Sequence, residues 1–437
     1  MKAAASPERR PEPGGFLVPR ATAWLVFTMT FLLMVLDFVD RQIVVSMFPY
    51  LKAQWGLSDT QLGALVSVIS ITVALATLPI ASLVDRWSRV KSIVLMGTVW
   101  SLATIACAFA RSYTQLFAVR SAIGLGEAGY GPAGGALLST MFPTRLRGTV
   151  LGGFLAASSI GSVLGVLLGG ALAEQWGWQA GFGIVGVPGL ILALLFLIVP
   201  DYQSARPVGA GSAAGNQLRS WMTSMAAVFR ARSGVAASIG GALQLLVVST
   251  VYAWLPSFFN RTYGLPAPQA GIRAALVVLL GSLGAFWWGH VADRLGRRHP
   301  RNKLLVPAAA AVSTCVLLLA AFALLAPGSW QFLLIGLGGF VMTASVGPVA
   351  AVAIDVTHPG LRASAAAMVA LVQNLFGLAV GPFLAGALSD VFGLQFALAL
   401  ISLVCLLAAC ILALGSRTYV HDLKNAEGDG PGVSTSA

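Results

Sequence analysis

The chain is a succession of apolar stretches, each about as long as a lipid bilayer is thick, and little else. They fall at roughly 21–48, 60–84, 92–110, 114–139, 148–173, 178–200, 234–259, 269–292, 303–325, 329–354, 363–389 and 394–414. Crossing a hydrocarbon core of ~30 Å takes about 20 helical residues, so each is long enough to span. Backbone groups cannot be left unsatisfied in lipid, which restricts spanning structure to helices and closed barrels. These stretches are continuous runs without period-2 alternation, so helices are expected. Composition agrees: only 10% of the 437 residues are charged and the mean hydropathy is +0.84, where soluble domains carry about 25% charge. The fold class expected is an all-α membrane protein of twelve transmembrane helices in two six-helix bundles.

The net charge of +12 would point to nucleic acid in a soluble protein. Here its distribution gives another reading. With the N-terminus in the cytoplasm, four of the 27 Lys and Arg residues (Lys52, Arg111, Arg261, Arg273) lie outside, two (Arg41, Arg120) lie within spans, and the other 21 lie inside. That asymmetry is a positive-inside signal and places both termini in the cytoplasm. No nucleic-acid partner is expected. Residues 1–20 and 417–437 read as disordered tails flanking bundles at 21–200 and 234–416. The connection 201–233 is a small-residue linker followed by Leu218, Trp221, Met222, Met225, Val228 and Phe229. These line one helical face with Arg219, Arg230 and Arg232 nearby. It reads as an amphipathic helix on the cytoplasmic leaflet, with a soluble linker helix as the alternative.

The two halves repeat each other. Residues 131–143 align with 347–359, and 165–179 with 381–395, both at an offset of 216; 81–89 align with 289–297 at an offset of 208. Tandem six-helix units are the sign of a transporter built from structural repeats. The four cysteines (Cys107, Cys315, Cys405, Cys410) and four histidines (His290, His299, His358, His421) show no disulfide or metal spacing, and no metal or other cofactor is expected. A membrane enzyme would need a nucleophile–base set or metal ligands within the bilayer, and the histidines, His290 at the end of its span included, stand in or beside the polar connections and the tail. No G-x4-G-K-[ST] occurs, so ATP is not the expected driving force.

An ionisable residue inside a span is costly and is by default a functional candidate. Five qualify: Asp37, Asp40 and Arg41 in span 1, Arg120 and Glu127 in span 4. Asp37 and Arg41 share a helical face, as do Arg120 and Glu127. At the repeat offsets Arg120 and Glu127 correspond to Gly336 and Thr343, so the charged set breaks the symmetry. Three carboxylates and two guanidiniums sum to −1, and closing such a site favours uptake of one proton or one other cation such as sodium. Asp40, Glu127 and Asp37 are the candidate proton-coupling acids. Arg41 and Arg120 are candidates to bind an anionic group bidentately. A fixed ion-pair network between spans 1 and 4 is the alternative. Tyr130, Gln244, Tyr252, Gln373 and Asn374 are further candidates for substrate contact, or else helix-packing polar residues.

Gly289-x3-Asp293-Arg294-x-Gly296-Arg297 resembles the G-x3-D-R-x-G-R loop motif of the major facilitator superfamily. Ala81-x3-Asp85-Arg86-x-Ser88-Arg89 resembles it with both glycines replaced. The resemblance implies the major facilitator fold and a cytoplasmic gate made by Asp85, Arg86, Arg89, Asp293, Arg294 and Arg297. Gly152-x8-Gly161-x3-Gly165-Val166-x2-Gly169-Gly170 resembles the family's antiporter glycine motif, with Val166 where proline is usual. Close packing through small residues explains the same pattern. The Val39-Asp40-Arg41 run, GLSDTQLG at 56–63, LVDRWSR at 83–89, R-x3-GLGEA at 120–128 and the stretch 178–195 resemble the Spinster branch. That resemblance implies that Asp40, Arg41 and Glu127 are the proton-linked set. It implies an amphiphilic, lysolipid-like substrate, carried by a monomer in contact with membrane lipids in a bacterial inner membrane. Asp37-Phe38 stands where many relatives have Asn-Tyr, an extra acid in the site. An organic-anion importer of the anion:cation symporter type and a drug/proton antiporter are the competing readings.

The topology is directly testable. Alkaline phosphatase fused after Ala437 is expected to be inactive and a green fluorescent protein fused there fluorescent; an active phosphatase would reverse the orientation.

Overall fold

The structure, a computed structural model, describes residues 16–86, 88–199, 231–357 and 362–428. The expected N-terminal tail up to residue 15 and most of the amphipathic segment lie outside the described residues. Among the described residues there is no strand, and ten helices are long and apolar enough to cross a membrane. The first half comprises α1 (Arg20–Trp55), α2 (Asp59–Arg86), α3 (Arg89–Cys107), α4 (Tyr113–Glu127), α5 (Tyr130–Met141) and α6 (Thr144–Leu195). The second comprises α7 (Arg232–Tyr263), α8 (Ala267–Arg298), α9 (Asn302–Leu319), α10 (Ser329–Met342), α11 (Val346–Asp355), α12 (Arg362–Val372), α13 (Val380–Phe392), α14 (Leu394–Ser402) and α15 (Val404–Gly428).

Local chemistry starts the helices where the sequence turns polar. Ser58 and Gln61 close a capping box before α2: Gln61 N donates to Ser58 Oγ at 3.1 Å and Ser58 N to Gln61 Oε1 at 3.0 Å. Ser88 and Ser112 cap α3 and α4 through their hydroxyls. Large apolar side chains such as Leu155, Leu197, Phe286, Trp287, Val316 and Trp330 stand exposed, a surface suited to lipid rather than water.

Among the expected spans that are broken rather than continuous, two bear on the site. The segment expected at 114–139 is α4 and α5, joined at Ala128–Gly129, and that expected at 329–354 is α10 and α11, joined at residues 343–345. The stretch Thr144–Ile198, 55 residues, would be about 80 Å long as a single helix. It changes direction at Gly177, whose φ of 80° and ψ of 154° are not helical, so the expected spans 5 and 6 are two helices meeting at that residue.

The repeat is visible in the backbone. The positive-φ residues among those described are Gly56, Gly177, Gly264 and Gly393. Gly56 and Gly264 (both φ 63°) are 208 apart; Gly177 (φ 80°) and Gly393 (φ 83°) are 216 apart. These are the two offsets read from the aligned segments. Each glycine ends a helix in a conformation that a β-carbon would strain. All four sit at one end of the bundle, called here the Gly56 end.

The helix α15 runs through Gly428, past residue 416, where the sequence reading had a disordered tail begin. Two buried polar contacts hold this extension. Tyr419 Oη donates to Asp355 Oδ2 at 2.8 Å, and Ser233 donates from both N and Oγ to Asp422 Oδ2 at 2.8 and 2.6 Å. Lys303 joins the same Asp355 oxygen at 2.7 Å.

The glycine motif packs α6 onto α1. Gly161, Gly165 and Gly169 lie on the carbonyls of Val35, Val39 and Ile43 in turn; a β-carbon on Gly165 or Gly169 would stand 2.7 or 2.6 Å from the oxygen. The four-residue rhythm on both helices is ridge-to-groove contact made close by small residues. It pins the part of α1 that carries Asp37, Asp40 and Arg41. Gly169→Val is expected to destabilise the protein by about 1–3 kcal/mol through overpacking, while Gly152→Ala, with open space around it, leaves it unchanged; thermal melting in detergent reads both.

Candidate ion-coupling and substrate site

The break between α4 and α5 places Glu127 at the last residue of α4, and α1 brings its charged turn alongside. Arg41 Nη2 meets Glu127 Oε2 at 2.5 Å, with the Arg41 side chain 20% exposed and the Glu127 side chain fully buried. Asp37 and Asp40 are also buried, and Arg120 is completely enclosed. Arg120 donates from Nε to Leu65 O at 2.8 Å and lies over the Phe182 ring at 6.0 Å. The opposite charge that acts most strongly on Asp40 is Arg120; for Asp37 it is Arg41. The structure thus brings all five expected charges together as two opposed sets, one bordering open space through Arg41 and one sealed behind it.

Several atoms of this set have no hydrogen-bond partner: both Asp40 oxygens, Asp37 Oδ1, both Glu127 oxygens, Arg41 Nε, and Arg120 Nη1 and Nη2. Buried polar groups are ordinarily satisfied, so this concentration of unmet donors and acceptors sets the cluster apart as a candidate site. No group of three or more metal-ligating side chains suited to an ion occurs among the described residues.

The remaining candidates fall in different settings. Tyr130 is buried and donates to Thr30 O at 2.6 Å. Gln244 is buried and donates to Met342 O at 3.0 Å, with Oε1 unpartnered. Tyr252 is partly buried, its hydroxyl against Gly281, where any β-carbon would collide. Gln373 and Asn374 open a π-helical turn, Gln373–Leu378, in which Asn374 donates back to Ala370 O at 2.8 Å. Thr343, the repeat counterpart of Glu127, sits at the matching break between α10 and α11 and donates to Gly281 O at 2.8 Å. Of the expected gate, Arg89 reaches Ala136 O at 3.4 Å. Asp293, Arg294 and Arg297 are exposed on the end of α8. Asp85 and Arg86 close α2, and their side chains lie outside the described set.

A second charged cluster was not anticipated. At the Gly56 end, Asp59 of the first half receives Arg261 of the second half bidentately at 2.6 and 2.8 Å, Lys52 at 2.6 Å, and the Ser389 hydroxyl. In return Asp390 accepts the backbone N–H groups of Asp59 and Thr60, both at 2.8 Å, and the Thr60 hydroxyl at 2.6 Å. The backbone is equally close here: Gly386 lies on Asp59 O and Gly63 on Pro382 O. Arg261 lies 5.9 Å from the Trp254 ring, which in turn meets Phe48 at 5.3 Å. A cavity of about 920 Å³ opens beside this clasp, between Lys52, Arg261, Asp390, Gln395 and Phe396. A second, apolar groove of about 510 Å³ runs along the seam between the halves, lined by Val68, Ile71, Phe117, Phe376 and Phe383.

The clasp yields a prediction. Removing the charge of Asp59 leaves Lys52 and Arg261 unpaired, a loss of about 2 kcal/mol of closure, or roughly a thirtyfold population shift. Spin labels at Ala53 and Val391, both exposed near this end, are expected to report longer distances in Asp59→Asn than in the parent. An unchanged distribution would show the clasp to be ornamental.

Comparison with known proteins agrees with this architecture. The profile of the Major Facilitator Superfamily matches residues 30–379. A probable L-galactonate transporter of Escherichia coli K12 is 28% identical, over 96% of this chain and 94% of its own. Protein spinster homolog 3 of Danio rerio is 26% identical, over 81% of this chain and 74% of its own. Among solved structures, a bacterial homolog of the human lysosomal transporter Spinster, in an inward-facing and unoccupied conformation, superposes with a TM-score of 0.80 at 21% identity, covering 93% of this chain and 99% of its own. The chain belongs to the Major Facilitator Superfamily and is a transporter.

Proposed function

We propose that the chain is a proton-coupled secondary transporter that moves a small amphiphilic or anionic organic solute by alternating access. It has twelve membrane crossings, with α4 and α5 forming one and α6 two, and both termini on the cytoplasmic side of a bacterial inner membrane. With that orientation the Gly56 end faces outward and its clasp is shut, so the site opens inward, as in the Spinster homolog it superposes on. Asp85, Arg86, Arg89, Asp293, Arg294 and Arg297 latch the inner end when the clasp releases.

The observation that carries this reading is the buried set of Asp37, Asp40, Arg41, Arg120 and Glu127 with its unmet donors and acceptors. Charges at that depth are costly and are by default functional candidates, and a set with unmet donors and acceptors has new partners to gain in a second state. Asp40 and Glu127 carry the proton. Arg41, the partly exposed member, meets an anionic substrate group, while Arg120 holds Asp40. The apolar seam groove suits the tail of an amphiphile. The likeness to a probable L-galactonate transporter supports a second reading, an importer of organic acids.

Vesicles containing the purified protein, loaded in turn with lysolipids, sugar acids and aromatic carboxylates, separate the two readings. An imposed pH gradient is expected to drive accumulation of one class, and Asp40→Asn or Glu127→Gln to reduce that accumulation at least tenfold. Gradient-driven transport at the parent rate in both variants would refute the coupling assignment.

A further inference from the structure

The five charges sum to −1, yet they sit where an unbalanced charge is least tolerable. The placement of Asp37 resolves this. Its carboxyl group and that of Glu127, one from α1 and one from the end of α4, lie within side-chain hydrogen-bonding reach of each other. An ionised carboxylate only accepts. Asp37 Oδ1 and both Glu127 oxygens have no donor among the surrounding side chains; Arg41 meets Glu127 Oε2 as an ion pair without a well-directed hydrogen bond. Two buried carboxyl groups within reach of each other and short of a donor are both served by one proton held between them. Like-charged carboxylates at such range do not both stay ionised.

Other neighbours do not supply it. Tyr130 of α5 faces Asp37 but spends its hydroxyl on Thr30 O. Arg120 of α4 and Cys107 of α3 face Asp40. No ionisable residue occurs in α6 between Arg147 and Glu174, in α2 between Asp59 and Asp85, or in α7 between Arg232 and Tyr252.

We infer that Asp37 and Glu127 hold one proton in common in this conformation, so that the pair is a monoanion neutralised by Arg41 while Asp40 stays ionised against Arg120. The inference rests on reading this cluster as the coupling centre and sharpens it. The site then consists of two neutral units, and its resident proton is in the unit that Arg41 leaves partly exposed. When that proton leaves for water, only the O–H bond breaks. The two carboxylates then repel, and α1 and α4 are driven apart at the break that holds Glu127. Asparagine in place of Asp37 would donate an N–H to Glu127 and remove the need for the proton.

Difference infrared spectroscopy of the detergent-purified full chain at neutral pH reads the proton directly. A protonated-carboxyl band that shifts in heavy water is expected in the parent, lost in Asp37→Asn and retained in Asp40→Asn. Glu127→Gln should lose it too, which guards against a folding defect peculiar to one variant. A band that survives in Asp37→Asn, or that disappears in Asp40→Asn, overturns the inference. Because the spectrum needs no substrate, the expected band pattern without coupled transport in vesicles would refute the transport reading and still support the shared proton.

Discussion

A bilayer offers no water to a polar group, and the rest of this structure follows from how each buried charge is answered. Backbone groups are satisfied by making helices. The five ionisable side chains of α1 and α4 are gathered against one another, and small residues hold α1 in place for it. Gly161, Gly165 and Gly169 bring the α6 backbone onto the carbonyls of α1, fixing the helix that carries three of the five charges. The break at Ala128–Gly129 then turns the end of α4 so that Glu127 meets Arg41. Packing and electrostatics are one problem here, since a looser α1–α6 contact would let the charges separate and leave each of them alone in hydrocarbon.

The halves share a plan and divide the work. At matching positions the first half has Glu127 and the second Thr343, both at a helix break. The threonine hydroxyl is spent on Gly281 O, so the break in the second half is structural where the break in the first is charged. The fold therefore supplies the same bent helix twice and places buried charge at the break in one copy only.

Much of this was legible in the residues. The spans, the two offsets and the charged set follow from hydropathy, alignment and the rarity of charge. The positive-φ glycines repeat at the same 208 and 216 residues. The helix breaks were not legible, because Ala128-Gly129 and Thr343-Ala344-Ser345 are small residues that read as a continuing helix. The α15 extension was hidden as well: Arg417, Asp422 and Lys424 look like a solvated tail until Asp355 and Ser233 are seen to bond Tyr419 and Asp422. The clasp was the hardest to foresee. Asp59 reads locally as an acid in the first turn of a helix, whereas its partners Arg261 and Ser389 are 202 and 330 residues away. No pattern within a window announces a pairing over that distance.

The reciprocal capping in the clasp has an energetic meaning of its own. Asp390, from one half, supplies the acceptors for the first two N–H groups of α2, in the other half. The helix is complete at its start only while the halves are together. Because this start lies at a bundle end, water can take over the same N–H groups when the halves part, and the exchange of one acceptor for another is nearly even. The joint is consequently specific without being deep: it selects one register of the two halves and can still be undone by a modest force.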